Sequence, residues 1–232
     1  MNAVFKYFMI LYLVAGPRIL MAQAQGSLPL IAQPSNADLS KPMIFYITGD
    51  GGWNAFSREL TASLVQKGYP VISLDASKYF WKQKTPAQAS IDAGSIINQY
   101  AKQWGRKKII MLGYSFGADV MPFIYLGCSA GLVPTVQGIC LLSPSEHTDF
   151  EVHLLQMMGG GSNKGESVIH AINSINTHPI LLIFGNDEKD FPIPHLTIKN
   201  YTTIYLQGGH HYEHAIASLS KIIVENMDPA DN

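Results

Sequence analysis

Lys107-Lys108-Ile109-Ile110-Met111-Leu112-Gly113-Tyr114-Ser115-Phe116-Gly117-Ala118 is the stretch that decides how this chain folds. Four apolar residues with strand character run into Gly113-Tyr114-Ser115-Phe116-Gly117, and a helix-like segment from Ala118 to Leu126 follows at once. A G-x-S-x-G pattern gains meaning in that strand, turn and helix context, where the serine sits on a sharp turn with its hydroxyl above the sheet edge. Glycine two residues to either side removes the Cβ atoms that would collide in so tight a turn. The helix that follows points its positive N-terminal end at whatever Ser115 attacks. Ser115 is therefore read as a nucleophile rather than an ordinary turn serine.

Other strands and helices alternate around this one. Met43–Thr48, Val71–Leu74, Gly138–Ser143, Ile180–Phe184 and Thr202–Leu206 are apolar runs of strand length, the continuous kind expected of strands buried on both faces. Leu28–Ala32 reads as an edge strand or lead-in. Phe56, Leu60 and Leu64 recur at helical spacing, and Gly68 stops that helix. Thr85-Pro86-Ala87-Gln88 combines a cap, a proline suited to the first helical position and a residue able to close a capping box. Ala89, Ala93, Ile97, Tyr100 and Trp104 form the buried stripe of the helix it starts. A final helix spans about Tyr212 to Glu225. This alternation predicts an α/β fold, a mostly parallel central sheet with helices on both faces. A small cap is expected at about 146–176: Phe150, Val152 and Leu154 alternate like a strand, Gly159-Gly160-Gly161 is a loop, and Ser167–Ile175 is helical.

With 232 residues, 47% of them hydrophobic, the chain suits one domain with a sizeable core. A charged fraction of 14% and a net charge of -1, with no basic run, argue against disorder and against a nucleic-acid partner. Lys6 precedes an apolar run from Tyr7 to Ala15, and Ala22-Gln23-Ala24 fits a cleavage site, so residues 1–24 read as a secretory signal peptide and 25–232 as the mature domain. Arg18 between the run and the site leaves an uncleaved anchor as the alternative. An exported protein is exposed to oxidation, so Cys128 and Cys140 read equally as a disulfide or as two buried thiols.

Acyl transfer needs a nucleophile, a base, a group that orients the base, and donors for the oxyanion. All four stand here at the C-terminal ends of strands, where open α/β sheets place their sites. The base is His210, which follows Gly208-Gly209, with His211 as the alternative. The orienting acid is one of Asp187, Glu188 and Asp190, after the strand ending at Phe184. Glu188 holds the position these loops most often use, and Asp190 has the shorter arm ahead of Phe191-Pro192. The order serine, acid, histidine is that of α/β-hydrolases. Thr48-Gly49-Asp50-Gly51-Gly52 supplies the oxyanion loop, with the amides of Asp50, Gly51 and Phe116 as donors. Asp50 is an odd neighbour for an oxyanion; it either faces a cationic substrate group or hydrogen-bonds its own loop. Trp53, Tyr114, Trp81 and Asp50 are the substrate-contact candidates. No cofactor is called for. His210, His211 and His214 lack acidic or cysteine partners at metal-site spacing, and H-E-x-x-H is absent.

Thr48-Gly49-Asp50-Gly51-Gly52-Trp53, Tyr79-Phe80-Trp81 with Thr85-Pro86 and Asp92, Gly113-Tyr114-Ser115-Phe116-Gly117-Ala118-Asp119, and Gly208-Gly209-His210-His211-Tyr212 together resemble the bacterial VirJ/AcvB virulence-protein family, in its short single-domain form. The resemblance runs from about Met43 to the last helix, with Thr48 where a serine is expected. It implies an exported, periplasmic α/β-hydrolase that cleaves the aminoacyl ester of aminoacylated phosphatidylglycerol, such as the lysyl form, at the membrane surface. The nucleophile carries over to Ser115 and the histidine to the Gly208–His211 run. The cationic amine of such a substrate would give Asp50 a role. The alternatives are another carboxylesterase or thioesterase, or a non-catalytic periplasmic module that binds an exported protein partner.

Overall fold

The structure is a computed structural model and describes residues 28–35, 38–153, 165–212 and 215–228. The expected signal peptide, Leu154, the Gly159–Gly161 loop and His214 lie outside the described residues.

A seven-stranded sheet forms the centre. Its strands are β1 (Leu30–Gln33), β2 (Met43–Ile47), β3 (Val71–Leu74), β4 (Ile109–Tyr114), β5 (Val136–Leu142), β8 (Ile180–Gly185) and β9 (Tyr201–Leu206). They lie in the order β1-β3-β2-β4-β5-β8-β9, and all pair in parallel except β1, which runs antiparallel to β3 at one edge. β4 sits in the middle of that order, so Ser115 emerges at the centre of the sheet's C-terminal edge.

Both faces are apolar, and successive residues alternate between two cores. Phe45, Ile47, Met111, Ile139, Leu141 and Leu182 face one core, shared with α3 (Pro86–Gln103), α4 (Phe116–Leu126) and α5 (Val168–Asn173). Ile44, Tyr46, Ile110, Leu112, Cys140 and Ile183 face the other, shared with α1 (Ala55–Gln66) and α6 (Ile216–Met227). A strand covered on both sides has no polar alternation to show, hence the unbroken runs in the sequence. The short helix α2 (Ala76–Tyr79) leads into the aromatic loop.

Helix starts follow their capping chemistry. Thr85 Oγ1 accepts the amide of Gln88 at 3.1 Å with Pro86 at the first helical position, and Asn54 Oδ1 accepts the amide of Ser57 at 3.0 Å. The Gln88 side chain does not close the expected capping box; its amide donates to Asp92 Oδ1 at 2.9 Å, and Tyr79 donates to the other oxygen of Asp92 at 2.6 Å.

The expected strand in the cap is corrected. Phe150 and Val152 are not strand residues. The local strands are β6 (His147–Thr148) and β7 (Glu166–Ser167), which pair antiparallel. Phe150 adopts φ 59° and buries its ring against Phe80 and Phe123. Two buried side chains in an irregular segment imitate a strand's alternation. The cysteines are free thiols: Cys140 faces the α1/α6 core, whereas Cys128 packs against the other, so the sheet stands between them. Burial pushes the Cys128 thiol up to about 11 and that of Cys140 higher still. Among the described residues no helix is long and apolar enough to cross a membrane.

The turn at Ser115 requires its glycines. A Cβ at Gly117 would stand 2.2 Å from the Ile47 carbonyl oxygen, and one at Gly113 would stand 2.4 Å from that of Gly117. Both obstacles are backbone and cannot rotate away. Gly117→Ala should therefore lower unfolding stability by about 2 kcal/mol or more, the scale of overpacking in a rigid site. Urea denaturation measures it, and an unchanged midpoint would contradict the close approach.

Candidate active site

Ser115 stands at φ 51° and ψ −120°, a conformation that costs an L-residue roughly 1–3 kcal/mol and needs support. Its amide donates to the Leu142 carbonyl at 2.8 Å, and its own carbonyl accepts the amides of Ala118 and Asp119. The hydroxyl is thus held outside both strand and helix, at the tip of the turn.

His210 Nε2 lies 2.8 Å from Ser115 Oγ, and His210 Nδ1 lies 2.8 Å from Glu188 Oε1. The second oxygen of Glu188 accepts the Gly185 amide and the Ser143 hydroxyl, each at 2.6 Å. The carboxylate is therefore fixed on three sides and can orient the imidazole with Nε2 toward the serine. Of the three acid candidates, Glu188 is the one brought to His210; Asp187 and Asp190 are exposed. His211 turns outward, with its Nδ1 3.2 Å from the Tyr114 hydroxyl, and does not reach Ser115.

A layer beneath these residues holds them in place. Ser143 adopts φ 50°, which turns its hydroxyl to Glu188, and the same hydroxyl lies 2.6 Å from that of Tyr212. Tyr212, fully buried and also at φ 50°, donates to the Ile183 carbonyl at 2.6 Å. The Tyr114 hydroxyl donates to the His210 carbonyl at 3.1 Å, and its ring packs on Phe56. Tyr114 is only 4% exposed, so it positions the histidine loop instead of lining a groove as expected. Neither Ser143 nor Tyr212 figures among the sequence candidates. The signals were position, since Ser143 directly follows strand β5, and the motif Gly208–Tyr212, which Tyr212 closes.

The oxyanion loop departs from expectation at one residue. The Gly51 amide donates to Asp50 Oδ1 at 2.8 Å, so it is turned to its own neighbour. The amides of Asp50 and Phe116 have no acceptor among the described residues and remain available to a developing oxyanion. The loop passes directly over the nucleophile: a Cβ on Gly49 would lie 3.3 Å from Ser115 Cβ. Trp53 is half-buried against the α1/α6 core, and Trp81 is 56% exposed. Beside Trp81, Phe80 packs edge-on to Phe116 at 5.1 Å, so the aromatic loop borders the nucleophile's helix. A cavity of about 350 Å³ lies farther along, lined by Gln83, Lys84, Thr85, Asp149 and Glu166 and by none of the three residues Ser115, His210 and Glu188. Among the described residues no group of three His, Cys, Asp or Glu side chains could hold a metal ion.

Burial pulls the His210 pKa down, but the hydrogen bond and charge of Glu188, with smaller contributions from Asp119 and Asp50, outweigh it and leave the imidazole above its ordinary value. Burial raises the Glu188 carboxyl, and its bonds from His210, Ser143 and Gly185 more than reverse that, so it stays ionised. The base works only when neutral. Activity on an ester should therefore fall as pH drops below this raised pKa, and in Glu188→Gln the acid limb should move to lower pH while kcat/KM falls roughly 100- to 10,000-fold. A pH–rate profile of both proteins tests this, and an unmoved limb would separate Glu188 from the imidazole.

Comparison with known proteins places this geometry. The sequence matches no curated protein. The fold resembles MenH from S. aureus (TM-score 0.64, 12% identity, 88% of this chain and 99% of that one) and Est1E from Butyrivibrio proteoclasticus with ferulic acid bound (0.60, 16%, 87% and 95%). It also resembles YbtT, a type II thioesterase from the yersiniabactin pathway (0.59, 14%, 87% and 99%). At such identities the likeness establishes the α/β-hydrolase fold. A family model described as bacterial virulence protein (VirJ) matches residues 41–231, which is nearly all of the described chain, and the protein belongs to that family.

Proposed function

We propose that this protein is a periplasmic serine hydrolase that cleaves the aminoacyl ester of aminoacylated phosphatidylglycerol, such as the lysyl form. The observation that carries the hydrolase reading is His210, whose two ring nitrogens each lie 2.8 Å from a partner, Ser115 on one side and Glu188 on the other. Ser115 Oγ attacks the aminoacyl carbonyl while His210 Nε2 takes its proton. Glu188 holds the resulting imidazolium, and the Asp50 and Phe116 amides meet the oxyanion. The imidazolium then returns the proton to the departing glycerol oxygen of the lipid. Water, deprotonated by the same imidazole, releases the amino acid from Ser115.

The lipid reading draws on three supports. Family membership agrees with the resemblance that suggested it. Trp81 is an exposed aromatic that directly follows Phe80, whose ring packs on Phe116, and tryptophan is favoured at membrane–water interfaces. Asp50 puts a carboxylate next to the oxyanion donors, which suits an acyl group that carries an amine.

Incubating the protein with membrane lipid extract should remove aminoacyl-phosphatidylglycerol and release free amino acid, both visible by lipid chromatography. Ser115→Ala should reduce the rate by about 10⁴-fold or more, and a fluorophosphonate probe should label the parent protein at Ser115 but not this variant. Full cleavage by folded Ser115→Ala would end the mechanism. Preference for soluble esters or thioesters would change the substrate class, and absence of labelling in the folded parent would favour a binding module.

A further inference from the structure

Four residues behind the nucleophile close a ring. His210 Nδ1 lies 2.8 Å from Glu188 Oε1, Glu188 Oε2 accepts the Ser143 hydroxyl at 2.6 Å, and that hydroxyl lies 2.6 Å from the hydroxyl of Tyr212. Tyr212 stands two residues after His210, so two peptide units return the path to its start. The Tyr212 amide donates to the Gly209 carbonyl at 3.1 Å, which tightens that return. The ring ties together the end of β5, the loop after β8 and the loop after β9. Its two hydroxyl members are sealed from solvent, Ser143 at 2% exposed and Tyr212 at 0%.

Protons are short along this ring, and the shortage gives it a direction. Ser143 and Tyr212 carry one hydroxyl proton each, whereas an ionised Glu188 and the Ile183 carbonyl only accept. Three contacts of 2.6 Å, Glu188 with Ser143, Ser143 with Tyr212 and Tyr212 with Ile183, compete for those two protons. The carboxylate carries the charge and takes the proton of Ser143. Tyr212 then divides its proton between the Ser143 oxygen and the Ile183 carbonyl, which also accepts the Ser143 amide at 2.8 Å. A hydroxyl that accepts a hydrogen bond donates a stronger one. Tyr212 therefore reinforces the bond by which Ser143 holds Glu188. Both residues adopt φ 50°, so the fold sustains two strained positions to bring these hydroxyls to one carboxylate oxygen.

We infer that Ser143 and Tyr212 are positioning residues for the base: they lock the Glu188 carboxylate against the imidazole and draw part of its negative charge away from Nδ1. The inference rests on the hydrolase reading above and adds a control over its base. The other groups that face His210 are Tyr114 on β4 and the neighbouring His211, with Asp119 on α4 and Asp50 on the loop after β2 acting through their charge. All of these stay in place when either hydroxyl is removed.

The test follows the titration of the His210 ring by NMR, its signal assigned by loss in His210→Gln, together with kcat and KM for 4-nitrophenyl acetate. Without the Ser143 hydroxyl the carboxylate keeps more charge for the imidazolium. In Ser143→Ala the His210 titration and the acid limb of activity should therefore both move to higher pH, opposite to Glu188→Gln. The kcat should fall about 10- to 100-fold with KM little changed, the scale of a hydrogen bond to a charged group. Tyr212→Phe, which keeps the ring in the core, should shift the titration the same way by less and lower kcat roughly 2- to 10-fold. Thermal unfolding reports whether each variant is folded, and if Ser143→Ala is not, Tyr212→Phe decides alone. Lost stability with an unmoved titration would make the two hydroxyls mere packing and overturn the inference, as would a shift to lower pH. If the parent cleaves esters and both variants titrate and turn over as it does, only the inference fails. If the titrations move as stated but the parent cleaves no ester and takes no fluorophosphonate, the hydrolase reading fails and the ring stands.

Discussion

The Ile47 carbonyl oxygen leaves no room for a side chain at position 117, and that exclusion fixes the geometry of the whole sheet edge. Because Gly117 presses on the end of β2, helix α4 starts directly against the strand that carries the oxyanion loop. Because Gly113 is pressed in turn by Gly117, the chain must reverse within a single residue, and Ser115 takes the strained conformation that results. The loop that carries the Asp50 amide is thereby brought against Ser115, and the Phe116 amide opens the helix that starts there. A looser contact would let the helix slide along the strand and would separate the donors from the nucleophile.

The histidine side of the cleft is held differently, by a polar chain. Glu188 is anchored by an amide from its own strand end and a hydroxyl from the end of β5, and Tyr212 joins that hydroxyl to the carbonyl of Ile183 on β8. Two left-handed residues, Ser143 and Tyr212, aim the groups that make this chain. Backbone strain therefore lies on both flanks, once at Ser115 and twice in the support of His210. The flank nearest α4 instead carries Asp119, buried in the first turn of that helix, whose carboxylate accepts the Ser145 amide.

The parts legible in the sequence were those set by local rules. Strands buried on both faces leave continuous apolar runs, so Met43–Ile47, Val71–Leu74 and Ile180–Gly185 could be read almost to the residue. Gly113 and Gly117 mark a backbone approach that no side chain can share, so the turn at Ser115 was readable too. What the sequence could not settle depends on dihedral angles that residue types do not determine. Three acids follow β8, and only the turn at Asn186–Asp187 decides that Glu188 is the one to face inward. Asp50 captures the adjacent amide of Gly51 through a one-residue contact that the glycine-rich loop equally well permits or forgoes. Ser143 and Tyr212 are ordinary residues until a positive φ redirects them. The alternation of Phe150, Val152 and Leu154 misled because, at Phe150 and Val152, an irregular segment with two anchors in a core produces the same period of two.

The position of the two thiols has a further consequence. With the sheet between them, Cys128 and Cys140 cannot cross-link within one molecule, so the chain reaches its folded form without an oxidant and does not rely on a thiol-oxidising catalyst. Cys140 is sealed in the core, and Cys128 is partly accessible at the end of α4, donating to the Ile124 carbonyl. Any mixed disulfide therefore forms at Cys128 and joins this protein to something else, leaving the sheet edge that carries Ser115 chemically untouched.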